Sequence, residues 1–228
     1  MKEKEFKRIY VWQVPVRIFH WANALSIVVL AVTGIIIANP PALQSDHEAY
    51  ETFYMGYVRV SHFIAAYVFV AAMLLRIYWA FVGNQYAHWK SFVPFTKKWF
   101  SNLFYVIKHD VFMLPYNEKK SKLLHISVGH NSLASFTYLI MFVLALIMVF
   151  TGFGLYSQNA SWWLPKLFSW VPTFLGSDFT TRLIHHISMW LIIFLVIIHI
   201  YFVIYHDVTE KEGEVSSMIN GHIFKEKS

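Results

Sequence analysis

The chain has 228 residues, of which 57% are hydrophobic, 19% aromatic and only 14% charged, and its formal net charge is +6. Because soluble domains carry about 25% charged residues, this composition excludes a disordered protein, a collagen and an ordinary soluble enzyme, and it predicts an integral membrane protein. The lack of cysteine excludes disulfides, cysteine-ligated iron–sulfur clusters and thiol catalysis.

Four apolar runs are long enough to cross a bilayer, which takes roughly 20 residues. Within a single membrane domain, 1–228, they predict helices over about 15–38, 57–83, 131–156 and 181–206. The first run is not a cleaved signal, because it is too long and lacks a small-residue cleavage site. The expected fold class is an all-α integral membrane protein, an up-down bundle of four transmembrane helices.

Two connecting segments are rich in aromatic residues but too polar to span a membrane. They are Phe92–Met113, which contains three lysines, and Ser161–Leu175, which contains three tryptophans. Since tryptophan and tyrosine are favoured at headgroup depth, both segments are predicted to be interfacial. Simple loops are the alternative.

Basic residues are distributed unevenly between the two sides of the predicted bundle. The N-terminal segment has five, the connection 84–128 has seven and the tail has three, whereas the other side has only Arg59, Lys166 and Arg182. By the positive-inside rule, both termini are cytoplasmic and the helices run outward, inward, outward and inward. The positive charge therefore indicates orientation in the cytoplasmic (inner) membrane, with the lipid bilayer as partner, and no nucleic acid is expected.

Apart from His206, which ends the fourth run, five of the 12 histidines lie inside the apolar runs: His20, His62, His185, His186 and His199. His185 and His199 are 14 residues apart, which places them on one helix face, within about 40° of each other and about 21 Å apart along the axis. His186 lies about 220° from His199. If two cofactors are stacked along this face, His185 is the expected ligand and His186 is not.

The predicted orientation gives each histidine a depth. His62 and His185 share the outer level, and His20 and His199 share the inner level. Neutral imidazole is a common axial ligand of haem iron, so this arrangement predicts two haem b groups, each held by two histidines. The absence of cysteine means that any haem is bound non-covalently. The alternative is that each histidine only forms a hydrogen bond to a neighbouring helix.

Other residues, most of them near the helix ends, are weaker indicators of haem or quinone binding. Four arginines could pair with haem propionates or could snorkel to lipid headgroups; they are Arg17, Arg59, Arg76 and Arg182. The pairs Thr33-Gly34 and Thr151-Gly152 could allow close approach of a macrocycle or of another helix. His206 lies on the same stripe as His199, so it could compete as the inner ligand or lie beside a quinone.

A quinone site is expected at the cytoplasmic ends of the helices. Quinone reduction takes up two protons, so the site needs polar groups that reach water. The candidates are His130 and Asn131, at the start of the third helix, and Tyr205 and His206, at the end of the fourth. The alternative is that all four are ordinary boundary residues.

Several longer segments identify a family. They are Pro15–Trp21, Phe53–Phe63, Arg76–Asn84, Gly129–Ala134, Thr151-Gly152, and His185 followed by Met189-Trp190 and His199. These segments resemble the b-type cytochrome subunit of membrane-bound nickel–iron uptake hydrogenases, in the bacterial di-haem cytochrome b superfamily. The resemblance covers nearly the whole chain. One departure is His186, where family members often have arginine, so no propionate contact is expected there.

The resemblance implies a haem-b anchor that receives electrons from the periplasmic small and large subunits of a respiratory hydrogenase. Electrons would enter at the outer haem, cross to the inner haem and reduce quinone. The chain would be the electron-transfer subunit of a hydrogen:quinone oxidoreductase complex, without a hydrogen-activating site of its own. The alternatives are the cytochrome b subunit of a membrane formate dehydrogenase or related oxidoreductase, and a non-redox membrane scaffold.

Overall fold

The computed structural model describes residues 6–41, 53–91, 100–101, 103–104, 108, 132–210 and 212–226. In chain order the main elements are β1 (Phe6–Tyr10), α1 (Val14–Ala38), α2 (Tyr54–Val82), α3 (Ser132–Tyr156), α4 (Trp163–Lys166), α5 (Trp170–Phe174), α6 (Asp178–Glu210), α7 (Glu214–Asn220) and β2 (His222–Glu226).

The predicted membrane helices are confirmed as α1, α2, α3 and α6, which are, in the described part of the chain, the four helices long and apolar enough to cross a bilayer. A 25-residue helix such as α1 is about 37 Å long, against a hydrocarbon core of about 30 Å. Large apolar side chains such as Leu25 and Ile197 are more than 60% exposed, as lipid-facing residues are. The fourth helix extends to Glu210, beyond its predicted end at 206.

The chain divides into two compact units, one formed by Val14–Trp79 and the other by the flanking parts. In the second unit α3 packs along α6, and α4 and α5 pack on α3. Phe153 of α3 stacks on Phe168 with ring centroids 5.3 Å apart, and Val171 is buried. The aromatic segment 161–175 therefore forms two short helices held against α3. Most of Phe92–Met113 lies outside the described residues.

Polar residues fix the start of α6 beside the end of α3. The Ser177 hydroxyl accepts a hydrogen bond from the Thr180 amide, 3.1 Å away, and so caps the helix. Asp178 lies in the first turn, where the helix dipole favours a negative charge. Its carboxylate accepts hydrogen bonds of 2.8 Å from the Gln158 side-chain amide. These contacts set the position of α6 two turns before His185.

The two ends of the chain form a small antiparallel sheet that the sequence analysis did not predict. Strand β1 pairs with β2, with Phe6 opposite Glu226 and Tyr10 opposite His222. The amides of Val11 and Trp12 both donate to the Gly221 carbonyl, at 2.9 and 3.1 Å. Gly221 has φ of +84°, and a Cβ there would lie 2.7 Å from the Trp12 carbonyl oxygen, so only glycine fits.

A buried tryptophan and an asparagine attach this sheet to its surroundings. The indole nitrogen of Trp12 donates to the Ser217 hydroxyl of α7, 3.1 Å away, and both residues are buried. Asn84, just after α2, donates from its side chain to the Val11 carbonyl at 2.9 Å. Hydrogen bonds from Trp12 and Asn84 therefore join the segment after β1 to α7 and to the residues that follow α2.

Candidate functional site

His62 lies in α2 and contacts a threonine of α1. Its Nδ1 atom is 2.8 Å from the Thr33 hydroxyl oxygen. The same hydroxyl donates to the Val29 carbonyl, one helical turn earlier, at 2.6 Å. Thr33 is buried, whereas His62 is half-buried. The imidazole is thus anchored on its Nδ1 side inside the unit formed by Val14–Trp79.

His185 of α6 has the same arrangement with α3. Its Nδ1 atom is 2.8 Å from the Thr151 hydroxyl oxygen, and this hydroxyl donates to the Ile147 carbonyl at 2.6 Å. Gly152 adjoins the ring, because a Cβ at this position would lie 3.2 Å from His185 Cε1. Glycine therefore leaves the space that the imidazole occupies. The pairs Thr33-Gly34 and Thr151-Gly152 each supply a threonine that contacts a predicted ligand.

The unit formed by Val14–Trp79 also contains His20 and Arg76, two of the residues predicted from the sequence. His20 is half-buried and meets the Trp21 ring edge-on, with centroids 5.2 Å apart. Arg76 is only 3% exposed, and its guanidinium carbon lies 6.0 Å from the centroid of Phe19, the neighbour of His20. One turn after His20, Asn23 is buried, and its side-chain oxygen has no hydrogen-bond partner in the part of the chain that the structure describes.

The other candidates differ in burial. His199 is exposed on α6, and so is His186, whereas His185 is half-buried. Arg17 is half-buried in α1, whereas Arg59 and Arg182 are exposed near the starts of α2 and α6. Exposure therefore does not distinguish His186 from the predicted ligand His199, and the exclusion of His186 still rests on its helical phase.

Two of the four quinone-site candidates can be placed. Tyr205 and His206 are neighbours on α6 with ring centroids 5.6 Å apart, and Tyr205 stacks on Tyr201 at 6.2 Å. The helix extends past them for one turn, to Glu210, so they lie within the helix and not at its end. His130 and Asn131 lie outside the described residues.

The contribution of the threonines was missed in the sequence analysis, which considered only their glycine neighbours. A signal was present, since each Thr-Gly pair is in the first helix of a hairpin and a histidine follows near the start of the second. The spacing between threonine and histidine differs between the hairpins, 29 and 34 residues, so no fixed motif identifies the pair.

Comparison with known proteins gives consistent matches over almost the full length. The chain matches the prokaryotic cytochrome b561 family over residues 11–221. It is similar to the probable Ni/Fe-hydrogenase B-type cytochrome subunit of Cupriavidus necator, with 40% identity over 96% of this chain and 88% of that protein. The corresponding protein of Rhizobium leguminosarum is 38% identical over 99% and 93%. The probable Ni/Fe-hydrogenase 1 B-type cytochrome subunit of Escherichia coli K12 is 36% identical over 93% and 89%.

Proposed function

The chain belongs to the prokaryotic cytochrome b561 family, and we propose that it is the haem-b membrane anchor of a respiratory nickel–iron hydrogenase, passing electrons from periplasmic catalytic subunits to quinone. The names of its relatives in Cupriavidus necator and Escherichia coli support hydrogenase as the partner. A B-type cytochrome carries haem b, and its redox chemistry is one-electron transfer at the iron. The residues of this chain have to hold the haem and deliver electrons to its acceptor.

The side chains of both units fit haem b. The observation that carries the proposal is that His62 and His185, in membrane-spanning helices, each have Nδ1 engaged by a buried threonine. The other ring nitrogen is the one that an axial ligand uses. The absent side chain of Gly152 leaves room beside one imidazole, and the buried oxygen of Asn23 is a polar group next to His20.

We assign four histidines to two haems by their predicted depth. His62 and His185 hold the outer haem, and His20 and His199 hold the inner haem. Arginines at the matching helix ends are the proposed partners of the propionates, since guanidinium binds carboxylates in a bidentate manner; they are Arg17, Arg59, Arg76 and Arg182. Arg76 has the best support, because it is buried near Phe19, which precedes His20 in the sequence.

Quinone is the proposed acceptor, at the cytoplasmic ends of the helices. His206 and Tyr205 adjoin each other on α6, and both side chains can hydrogen-bond a quinone carbonyl or relay a proton. His130 and Asn131 are proposed on sequence grounds alone. Hydrogen itself is activated in the partner subunits, because this chain has no cysteine to ligate a nickel–iron centre.

The test is purification of the membrane complex in mild detergent, with haem quantified per chain and the co-purifying subunits identified. We expect two haems b per chain, hydrogenase subunits in the complex, and reduction of both haems by hydrogen. Changing His62, His185, His20 or His199 to alanine should each remove one haem. His186→Ala is the matched control, because this exposed neighbour of His185 should be replaceable with both haems retained.

Three outcomes would contradict the proposal in different ways. A complex with formate dehydrogenase subunits would change the partner and leave the haem assignment intact. Full haem content in His62→Ala and His185→Ala would refute these ligands. A purified chain without haem-b bands in its reduced-minus-oxidised spectrum would support the non-redox scaffold.

A further inference from the structure

Thr33 and Thr151 make the same set of contacts in two different helical hairpins. Each hydroxyl oxygen lies 2.6 Å from the carbonyl oxygen four residues earlier, 3.4 Å from the one three residues earlier, and 2.8 Å from a histidine Nδ1. Both threonines are at least 92% buried, so water does not compete for these bonds.

The proton of each hydroxyl can be assigned from these distances. A carbonyl oxygen only accepts hydrogen bonds, so at 2.6 Å the threonine must donate to it. A hydroxyl has one proton, and the threonine oxygen can therefore only accept from the imidazole. If the proton pointed to Nδ1 instead, two oxygen atoms would face each other at hydrogen-bond distance with no proton between them.

We infer that Thr33 and Thr151 are positioning residues that hold His62 and His185 in the tautomer with the proton on Nδ1, which leaves the Nε2 lone pair available to iron. This inference rests on the proposed assignment of both histidines as axial ligands. Metal-bound histidines usually donate their second N–H to a hydrogen-bond acceptor, which orients the ring and raises its basicity. Here the acceptor is a hydroxyl that is itself polarised by its bond to a carbonyl.

A back-bond from threonine to its own helix is common and does not by itself indicate a function. Thr209 provides the comparison, because its hydroxyl donates to the Tyr205 carbonyl at 2.8 Å and lies 3.4 Å from the His206 carbonyl. Thr209 thus has the same intrahelical bond, and among the described residues its hydroxyl contacts backbone carbonyls alone. Thr33 and Thr151 differ from it by the imidazole.

The experiment replaces these threonines in the full chain, purified with its partner subunits. Valine keeps the shape of threonine but removes the hydroxyl, and serine keeps the hydroxyl. The variants are Thr33→Val, Thr151→Val, Thr33→Ser, Thr151→Ser and the control Thr209→Val. Haem content and the two haem midpoint potentials are measured by spectroscopic redox titration, together with thermal unfolding of each variant.

We expect Thr33→Val and Thr151→Val to bind the outer haem about 10- to 100-fold more weakly than the wild type. We also expect both substitutions to raise the midpoint potential of that haem. The potential rises because an imidazole without its hydrogen-bond acceptor gives less charge to iron, which disfavours the oxidised form. A tenfold loss of preference for the oxidised form corresponds to 59 mV for one electron. The serine variants should restore both properties, and Thr209→Val should change neither.

The threonine role would be refuted if Thr33→Val and Thr151→Val kept wild-type midpoint potentials and haem content while His62→Ala lost haem. That result would leave the assignment of the histidine ligands unchanged. Full haem content in His62→Ala and His185→Ala would refute the ligands and the threonine role together. If the two valine variants shift different haems, the threonine role is supported, but the pairing of His62 with His185 is wrong. Complete haem loss in a valine variant that is rescued by serine also supports the inference.

Discussion

Gly152 offers a direct test of how closely α3 approaches a proposed haem ligand. In Gly152→Ala the new Cβ would lie 3.2 Å from His185 Cε1, whereas carbon atoms prefer about 3.5–4.0 Å. The ring would have to withdraw by about 0.3–0.8 Å while keeping its contact with Thr151 and its proposed bond to iron. Such overpacking costs about 1–3 kcal/mol, which corresponds to roughly 5- to 150-fold weaker haem binding.

The same substitution should not weaken the helix itself. Alanine favours a helix interior over glycine by about 1 kcal/mol, and without haem no bond to iron would oppose a small shift of the His185 ring away from the new methyl group. Haem content and thermal unfolding with and without haem therefore separate the two effects. Gly154→Ala is the matched control, because its Cβ would lie 3.0 Å from Val171 of α5 and not near the imidazole. Equal haem affinity in Gly152→Ala and the wild type would refute the close approach.

Three further substitutions test other parts of the chain. His206→Ala and His130→Ala should each lower quinone turnover by about 100-fold, which is the lower end of a general acid–base contribution, while hydrogen still reduces both haems. Wild-type turnover in both variants would exclude these residues from the quinone site. Asn84→Ala removes the side-chain hydrogen bond to the Val11 carbonyl, so the terminal sheet should lose about 1–3 kcal/mol of stability while the haem content stays unchanged. Amide hydrogen exchange measures this loss, and undiminished protection of the sheet amides would contradict the prediction.

The membrane helices could be predicted because a bilayer demands long apolar runs, but their ends could not. Hydropathy marks where a helix leaves the hydrocarbon, whereas α6 continues through Asp207 and Glu210, polar residues that are compatible with a helix in water. The terminal sheet was missed because its strands have five residues each and include lysine and arginine. Their partners lie at opposite ends of the sequence, and local patterns carry no information about such pairing.

Candidate ligands could be identified from residue type and helical phase, but their hydrogen bonds could not. A threonine inside a helix usually bonds its own backbone, so its sequence position does not reveal that it also reaches a histidine. That contact depends on where the second helix of each hairpin begins. In the α3–α6 hairpin this is set by the Ser177 cap and the bond from Gln158 to Asp178.

The two hairpins differ about four helical turns after their threonine-bonded histidines. The residue 14 positions after His185 is His199, whereas the residue 14 positions after His62 is Arg76, and by helical phase both face the same way as the histidine above them. Arg76 is buried close to Phe19, next to the proposed ligand His20. A buried positive charge stabilises the electron-rich form of a nearby redox centre.

Arg76→Gln should therefore lower the midpoint potential of the inner haem, and Arg76→Lys, which keeps the charge, should lower it much less. Redox titration of both variants measures this, with haem content checked first because removing a buried charge can also disturb packing. A potential that falls equally in both variants would assign the effect to lost packing. An unchanged potential in Arg76→Gln would mean that the guanidinium and the inner haem are too far apart to interact, and it would remove Arg76 from the proposed propionate partners.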